Sequence, residues 1–540
     1  MSIYVPWVLI VHGLFFVCLY GAWKAKRKSP LDDLPGPPPE SFLLGNLRQL
    51  MREQVGTYDI KLQDIYGMVV RIKAPFGEDR LWVSDPKAIQ YILQTSRYNI
   101  VKSYAARFGL NSATGRGVNG AEGPDHYRQR RIILPAFGHS ESRAQIPIFR
   151  QCARELVQEF QNRAESLGDD VREENIPEFL SPAVLNALGL AAFNYDFRDD
   201  GEDRAEFAAS LRDFMAKGFG LPSDLKVFCQ GVMVRVPPWL LDPMIYFPSS
   251  GLAFLRRHVH LSNGIARTLI QSRSPEDDVD KKDALSRIVI ANHSDAGRWQ
   301  FTDEELAPQV CTLLGAGLET TVTSLGWILF ELATHADEQR QLRDEIYSVR
   351  PADNVDDTGT VNFDKLPFLN AVIKETVRFD VVVPHLFRET TRDEVIPLSG
   401  PVVCRSGTVI KELCIPQGTH IIISDVAYNR NRDIWGEDAD IWRPSRWLDG
   451  SVKSPTSVGV WSNLISFGAG HRACLGWQFA VAEMQAFVFE LISRLKFEAM
   501  EKTALIRREN CLVTLPMVGG EEQKGNQLPL GISIINHSEK

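Results

Sequence analysis

No two of the 8 cysteines in this 540-residue chain stand at a CxxC spacing, and no His cluster lies near them at zinc-ligand spacing. Structural zinc modules are therefore excluded. So few cysteines in so long a chain make no disulfide framework, and most are expected to be reduced core residues. A basic excess is missing too: the net charge is −8, which argues against a nucleic-acid partner. No GxGxxG follows a strand-like run and no flavin domain is appended, so a nucleotide cofactor is not expected on this chain. Internal repeats are lacking, as is any Pro/Gly/Ser-rich linker within the body. The composition, 44% apolar and 24% charged, is that of an ordinary globular protein, and one large domain over residues 46–540 is expected.

Charge is also absent from Ile3 to Trp23, where only His12 is titratable. As a helix this run spans a hydrocarbon core of about 30 Å. Trp7, Tyr20 and Trp23 stand toward its ends, and Lys24, Lys26, Arg27 and Lys28 follow at once. By the positive-inside rule the body is cytosolic and the N-terminus luminal. A cleaved signal peptide fits less well, because its charges would precede the apolar run and a small-residue cleavage site would follow it. Residues 1–23 are read as a transmembrane anchor and 24–45 as a basic, Pro-rich linker. Its prolines Pro35, Pro37, Pro38 and Pro39 favour a stiff extended spacer. A second apolar stretch, Val227–Phe247, is broken by Pro237, Pro238 and Pro243. It cannot span a bilayer; it either lies in the interface or packs on the core.

The body reads as mainly α with a smaller β component. Met68–Lys73 and Arg80–Ser84 are alternating or β-branched runs around a turn, which predicts a hairpin. Helical patterns follow over Pro86–Gln94 and dominate from Ser140 to Ile346, while β-rich patches return near 395–424. Thr302 with Glu305 three residues on predicts a helix start. Glu276–Asp283 reads as a charged, solvated loop.

Chemistry concentrates in FGAGHRACLG, Phe467–Gly476. A metal-binding cysteine must be a thiolate. A haem iron needs one protein ligand on one face and open space on the other. A glycine-permitted loop brings sulfur to the iron with backbone N–H groups aimed at it. Gly468, Gly470 and Gly476 give that freedom, and Arg472 is placed to reach a haem carboxylate. The frame Phe467-x-x-Gly470-x-Arg472-x-Cys474-x-Gly476 resembles the haem-binding loop of the cytochrome P450 superfamily, with Cys474 as axial iron ligand.

Other stretches carry the same resemblance over nearly the whole body. KETVR gives Glu375 and Arg378, on one helix face, and WRPSRW gives Arg446. In the family such a triad is structural; Ser445 stands where Glu is frequent. LLGAGLETTVTS, Leu313–Ser324, resembles the helix that crosses the oxygen side of the haem. There Gly317 makes room, Thr320 supplies a hydroxyl able to open the local helix bond, and Glu319 supplies a carboxyl. DHYRQRR places His126 and Arg130 one turn apart, like the family's Trp-x-x-x-Arg that meets a haem propionate, and Arg388 is a further propionate partner. Arg128 and Arg131 flank Arg130 and are expected to face outward toward an acidic reductase. FDVVVP after Arg378 departs from the family's frequent His-Pro-Pro, in a region that normally lines the substrate pocket.

The resemblance implies the P450 fold, haem b as cofactor, and insertion of one atom of O2 into a small apolar substrate. It also implies electrons from NADPH through a separate cytochrome reductase, at the endoplasmic reticulum membrane. The motif style is closest to fungal members that decorate terpenoids or other secondary metabolites. An O2-independent isomerase or dehydratase and a non-enzymatic haem sensor stand as alternatives.

Overall fold

In the computed structural model the described residues are 29–535, apart from 168–170, 199–201, 247–248, 274–282, 295–299, 350–360 and 453–457. The expected anchor, the basic run Lys24–Lys28 and most of the charged loop lie outside them.

The β-branched runs pair as the alternation predicts. Val69–Lys73 (β1) runs antiparallel to Asp79–Val83 (β2), with Val69 opposite Val83. Three more strands complete the sheet: Ile100–Val101 (β3), His385–Thr390 (β4) and, after the hairpin Glu394–Val403 (β5) and Val409–Ile415 (β6), His420–Ser424 (β7). The order is β1–β2–β7–β4–β3, which leaves β1 as an edge. The Pro-rich segment covers that edge. Arg71 N–H donates to the Pro35 carbonyl at 2.9 Å, and Leu31 and Leu34 are buried. The described part of the linker is thus part of the body, which starts ahead of residue 46. A proline-rich strip spends no backbone donors on itself, so it can seal a sheet edge.

Beside a small three-stranded sheet and two hairpins, helices make most of the rest. Those that frame the site are Gly123–Ile133 (α1), Ile146–Leu167 (α2), Ile176–Phe193 (α3), Glu202–Arg212 (α4), Asp224–Met233 (α5), Asp303–Thr334 (α6), Pro367–Phe379 (α7) and Trp477–Ile492 (α8). At 32 residues α6 runs about 48 Å, across the body. It starts where expected: Glu305 accepts from the Thr302 N–H at 2.9 Å. Both α3 and α6 are long and apolar enough to cross a membrane, but most of each apolar stretch is buried against neighbouring helices.

The stretch around α5 divides between the two readings made of it. Val227, Val232, Val236 and Leu241 face the body, while Trp239 and Tyr246 are 71% and 77% exposed. Phe42, 60% exposed, joins the same patch through Phe76, whose ring lies 5.8 Å from Phe42 and 5.7 Å from Phe228.

A C-terminal hairpin, Ile506–Cys511 (β8) and Val513–Val518 (β9), straps the segment that follows α7. Thr514 donates through N–H to Val382 O at 2.8 Å and through Oγ1 to Val381 O at 2.6 Å. Asp380 does not line a pocket; it is buried and accepts from Arg508 Nε at 2.6 Å.

Candidate functional site

The loop before α8 is built around its thiol. Cys474 N–H donates to Phe467 O at 2.7 Å, closing the loop, and the Gly476 N–H points at the Cys474 sulfur. Gly470 sits at φ 62°, and a Cβ there would come within 2.1 Å of Leu93 O, in the turn Tyr91–Thr95. Only glycine fits so close an approach. Phe467 packs edge-on to Trp461 at 5.7 Å. Burial raises the Cys474 thiol pKa, and the Gly476 N–H and the nearby Arg130 pull it back. The thiol lies deep in the body and is nonetheless accessible, so it faces an internal space. Among the described residues no three His, Cys, Asp or Glu side chains gather as a metal cage. A single sulfur suits a metal that brings its other ligands with it, as a porphyrin does.

Beside the loop is a buried cationic cluster. Arg388 is buried, and Nη1 donates to Phe387 O at 2.9 Å. Burial and then the neighbouring Arg472 lower its pKa to about 10. The same two causes put Lys102 well below its ordinary value; its amine donates to Asn119 Oδ1 at 2.9 Å. Arg472 is lowered chiefly by burial, and Arg130 likewise. His126 is buried, and Tyr98 OH meets its Nδ1 at 2.7 Å; burial and Arg472 hold its pKa down to about 2. It is therefore a neutral imidazole at working pH. His471 stacks edge-on to Tyr98 at 4.7 Å. Within this cluster, Arg472 Nη1 and His471 Nδ1 are buried polar atoms with no partner. Buried guanidiniums that repel one another and an orphaned N–H are what a pair of propionates satisfies. The residues present fit haem.

On α6, Ala316, Gly317 and Thr320 are accessible although the helix is a core element. Thr320 Oγ1 donates to Ala316 O at 2.7 Å, and α6 stays regular there. The hydroxyl thus back-bonds to the helix without opening it, contrary to the opening expected of it. Gly317 has a different reason from the one expected. A Cβ there would meet the Leu188 side chain of α3 at 3.0 Å, so the missing side chain serves helix packing. Room on the open face comes from Ala316. Glu319 points away from that face and is 5% exposed; its Oε1 is buried with no partner. Burial, and then Asp213 after α4, push its pKa up to about 8.

The triad meets in full. Glu375 accepts from Arg378 Nη2 at 2.7 Å and from Arg446 Nε at 2.9 Å, with all three side chains fully buried. Burial raises the Glu375 pKa, but the two guanidiniums overcome it and hold it below the usual carboxylate value. Ser445 is exposed and accepts from Arg443 Nη1 at 3.1 Å, so that departure leaves the triad intact.

Arg128 is not an outward-facing arginine. Its guanidinium grips both oxygens of Glu305, at 2.6 and 2.9 Å, tying α1 to the start of α6. Arg131 is exposed. Sequence reading missed Tyr98, Lys102, Glu122, Asp213 and His471. Only His471, inside the quoted loop, had a local signal.

The family model for cytochrome P450 matches residues 35–518. Cytochrome P450 monooxygenase 205 of Postia placenta is 31% identical over 97% of this chain and 97% of its own length. Cytochrome P450 monooxygenase 128 of the same fungus is 33% identical, covering 93% of this chain and 92% of its own. Ganoderic acid synthetase CYP5150L8 of Ganoderma lucidum is 31% identical, over 88% and 89%. A thiol in a glycine-framed loop, a buried cationic cluster beside it and the extent of these matches agree: the chain belongs to the cytochrome P450 family.

Proposed function

We propose that this protein is a membrane-anchored haem-thiolate monooxygenase that oxidises a small apolar secondary metabolite of the terpenoid kind. NADPH supplies electrons through a separate flavoprotein reductase at the endoplasmic reticulum. The observation that carries the reading is Cys474, alone in its closed loop, beside a buried cluster of guanidiniums that keeps an unpartnered donor, Arg472 Nη1. Support for a secondary metabolite comes from the relative named as ganoderic acid synthetase.

Bound haem b supplies the oxygen chemistry. The chain's own residues hold it and govern protons. Cys474 binds the iron; Arg130, Arg388, Arg472 and Lys102 hold the propionates. Glu319 keeps a proton at neutral pH because its carboxyl is pushed up to about 8. Asp213, paired with Lys217 at 2.7 Å, is a nearby negative charge that adds to the burial in keeping that proton on. Thr320 offers, on the open face, a hydroxyl whose lone pairs can accept a hydrogen bond while its own hydrogen stays on Ala316 O. An isomerase or a haem sensor has no use for this acid and hydroxyl.

The test is reconstitution with a reductase and a terpene panel. NADPH consumption should require both O2 and substrate. Thr320→Ala should keep haem and substrate affinity yet turn NADPH consumption toward peroxide, with product falling. Coupling at the wild-type level in that variant would remove Thr320 from the oxygen side. The pH profile checks Glu319. A carboxyl raised from 4.5 to about 8 keeps its proton below that value, so coupled turnover should fall as pH rises through about 8. Glu319→Gln should lose that step. Stability moves the same way: the native state binds the extra proton between those values, so this contribution declines as pH rises across them.

The exposed aromatic patch supports a second membrane contact. A chain without residues 1–28 should still float partly with liposomes. Trp239→Glu with Tyr246→Glu should release it. Flotation unchanged by the pair would place the contact elsewhere.

A further inference from the structure

Glu122 precedes α1 and stands where a capping residue would, but its carboxylate makes no hydrogen bond to the first turn of that helix. It reaches instead to the loop before α8, where Oε2 pairs with Arg472 Nη2 across 350 positions of sequence. Its other oxygen accepts from the Lys102 backbone N–H at 3.1 Å. The pair is largely buried, with side-chain exposures of 7% and 12% for Arg472 and Glu122. Glu122 thus occupies both ends of a clamp, one on β3's exit and one on the thiolate loop. The opposite edge of the same guanidinium, Nη1, is buried and unpartnered.

The charges around it do not balance without it. Arg130, Arg388 and Arg472 are always cationic and mutually repelling, while a haem brings two propionates. With Lys102 beside them the cations outnumber the propionates, and Glu122 is the carboxylate that meets the excess, at Arg472.

We infer that Glu122 is a third carboxylate built into the haem pocket, a positioning residue that holds Arg472 by Nη2 so that Nη1 is aimed at a propionate, and that offsets part of the positive charge the propionates leave over. This rests on the haem-thiolate reading. The propionate and Glu122 share Arg472; they do not compete for it. A buried negative charge near the haem also opposes adding an electron to it.

The holoprotein tests this with two readouts beyond turnover: the rate of haem transfer to an apoglobin scavenger, and the haem midpoint potential. Glu122→Gln keeps the size and removes the charge. It should lose haem about tenfold faster, as for a lost hydrogen bond to a charged group, and its potential should move positive. Glu122→Asp keeps the charge with a shorter reach. Its potential should stay at the wild-type value while haem loss accelerates. Wild-type rate and potential in Glu122→Gln would overturn the inference. So would slower haem loss, which would make Glu122 a competitor of the propionate. Where Glu122→Gln does not load haem, Glu122→Asp decides: faster loss at an unshifted potential supports the role, and a shifted potential overturns it. A wild-type protein without the thiolate ferrous–CO band would instead sink the haem-thiolate reading. An intact band with an unmoved Glu122→Gln sinks this inference alone.

Discussion

Cys474→Ser should abolish the thiolate signature of the ferrous–CO complex, the strongly red-shifted band that a histidine-ligated haem lacks. The loop makes the expectation sharp. Its closing bond, Cys474 N–H to Phe467 O at 2.7 Å, belongs to the backbone and survives the substitution. The Gly476 N–H that points at sulfur can also donate to a serine oxygen. The fold of the loop should therefore remain, and only the donor atom changes from a polarisable thiolate to a hydroxyl, a poor iron ligand at neutral pH. Haem binding should weaken and turnover should vanish. Retention of the band would place the iron ligand elsewhere. Among the other described cysteines, Cys152, Cys311 and Cys511 have pKa values that burial pushes up to about 12, which keeps them thiols.

Arg378→Ala should yield apoprotein or aggregate, with no folded haem protein to assay. Every N–H of this guanidinium is used. Nε and Nη2 donate to Glu375 at 2.9 and 2.7 Å, Nη1 to Asn429 O and Ala439 O at 2.8 and 2.7 Å, and Nη2 also to Ile441 O at 3.1 Å. Arg446 is used as fully, from Glu375 to Trp435 O, Asp438 and Ile441 O. The two arginines thereby hold the chain from Asn429 to Ile441 against α7. Removing one partner leaves a buried Glu375 underpaired, a cost of about 3–5 kcal/mol. Arg378→Lys should fail as well, because an ammonium has three donors and no fork. Thermal denaturation and the haem-to-protein absorbance ratio check both variants. A stable, haem-loaded Arg378→Ala would remove the triad from the folding core.

The thiolate loop, the triad and the β1–β2 hairpin were legible because their signals are local. A fixed spacing of Gly, Arg and Cys, two charges three apart on a helix, and alternation around a turn each fit within a few residues. What escaped depends on partners far along the chain. Arg128 reads as a surface arginine until α6 brings Glu305 to it. Glu122 carries no local signal, and its partner Arg472 lies 350 positions away. Gly317 reads as room on the oxygen side through the family's helix pattern, and only the fold shows that a Cβ there would press on Leu188. Prolines 35 to 39 correctly exclude helix, yet nothing in their composition says that Arg71 will bond to them.

That bond sets the length of a leash. Trp23, the last residue of the proposed span, and Ser29 are six positions apart, at most about 20 Å of extended chain. From Leu31 onward the strip is fastened to β1, so it adds no slack. With residues 1–23 in a bilayer as proposed, a body held on so short a tether could not tumble freely above it. Its aromatic patch would then meet lipid at a high effective concentration, so even a contact too feeble to bind a free protein would be engaged most of the time. Lengthening the tether with glycine and serine would dilute that contact and loosen the body's tilt, with the site itself untouched.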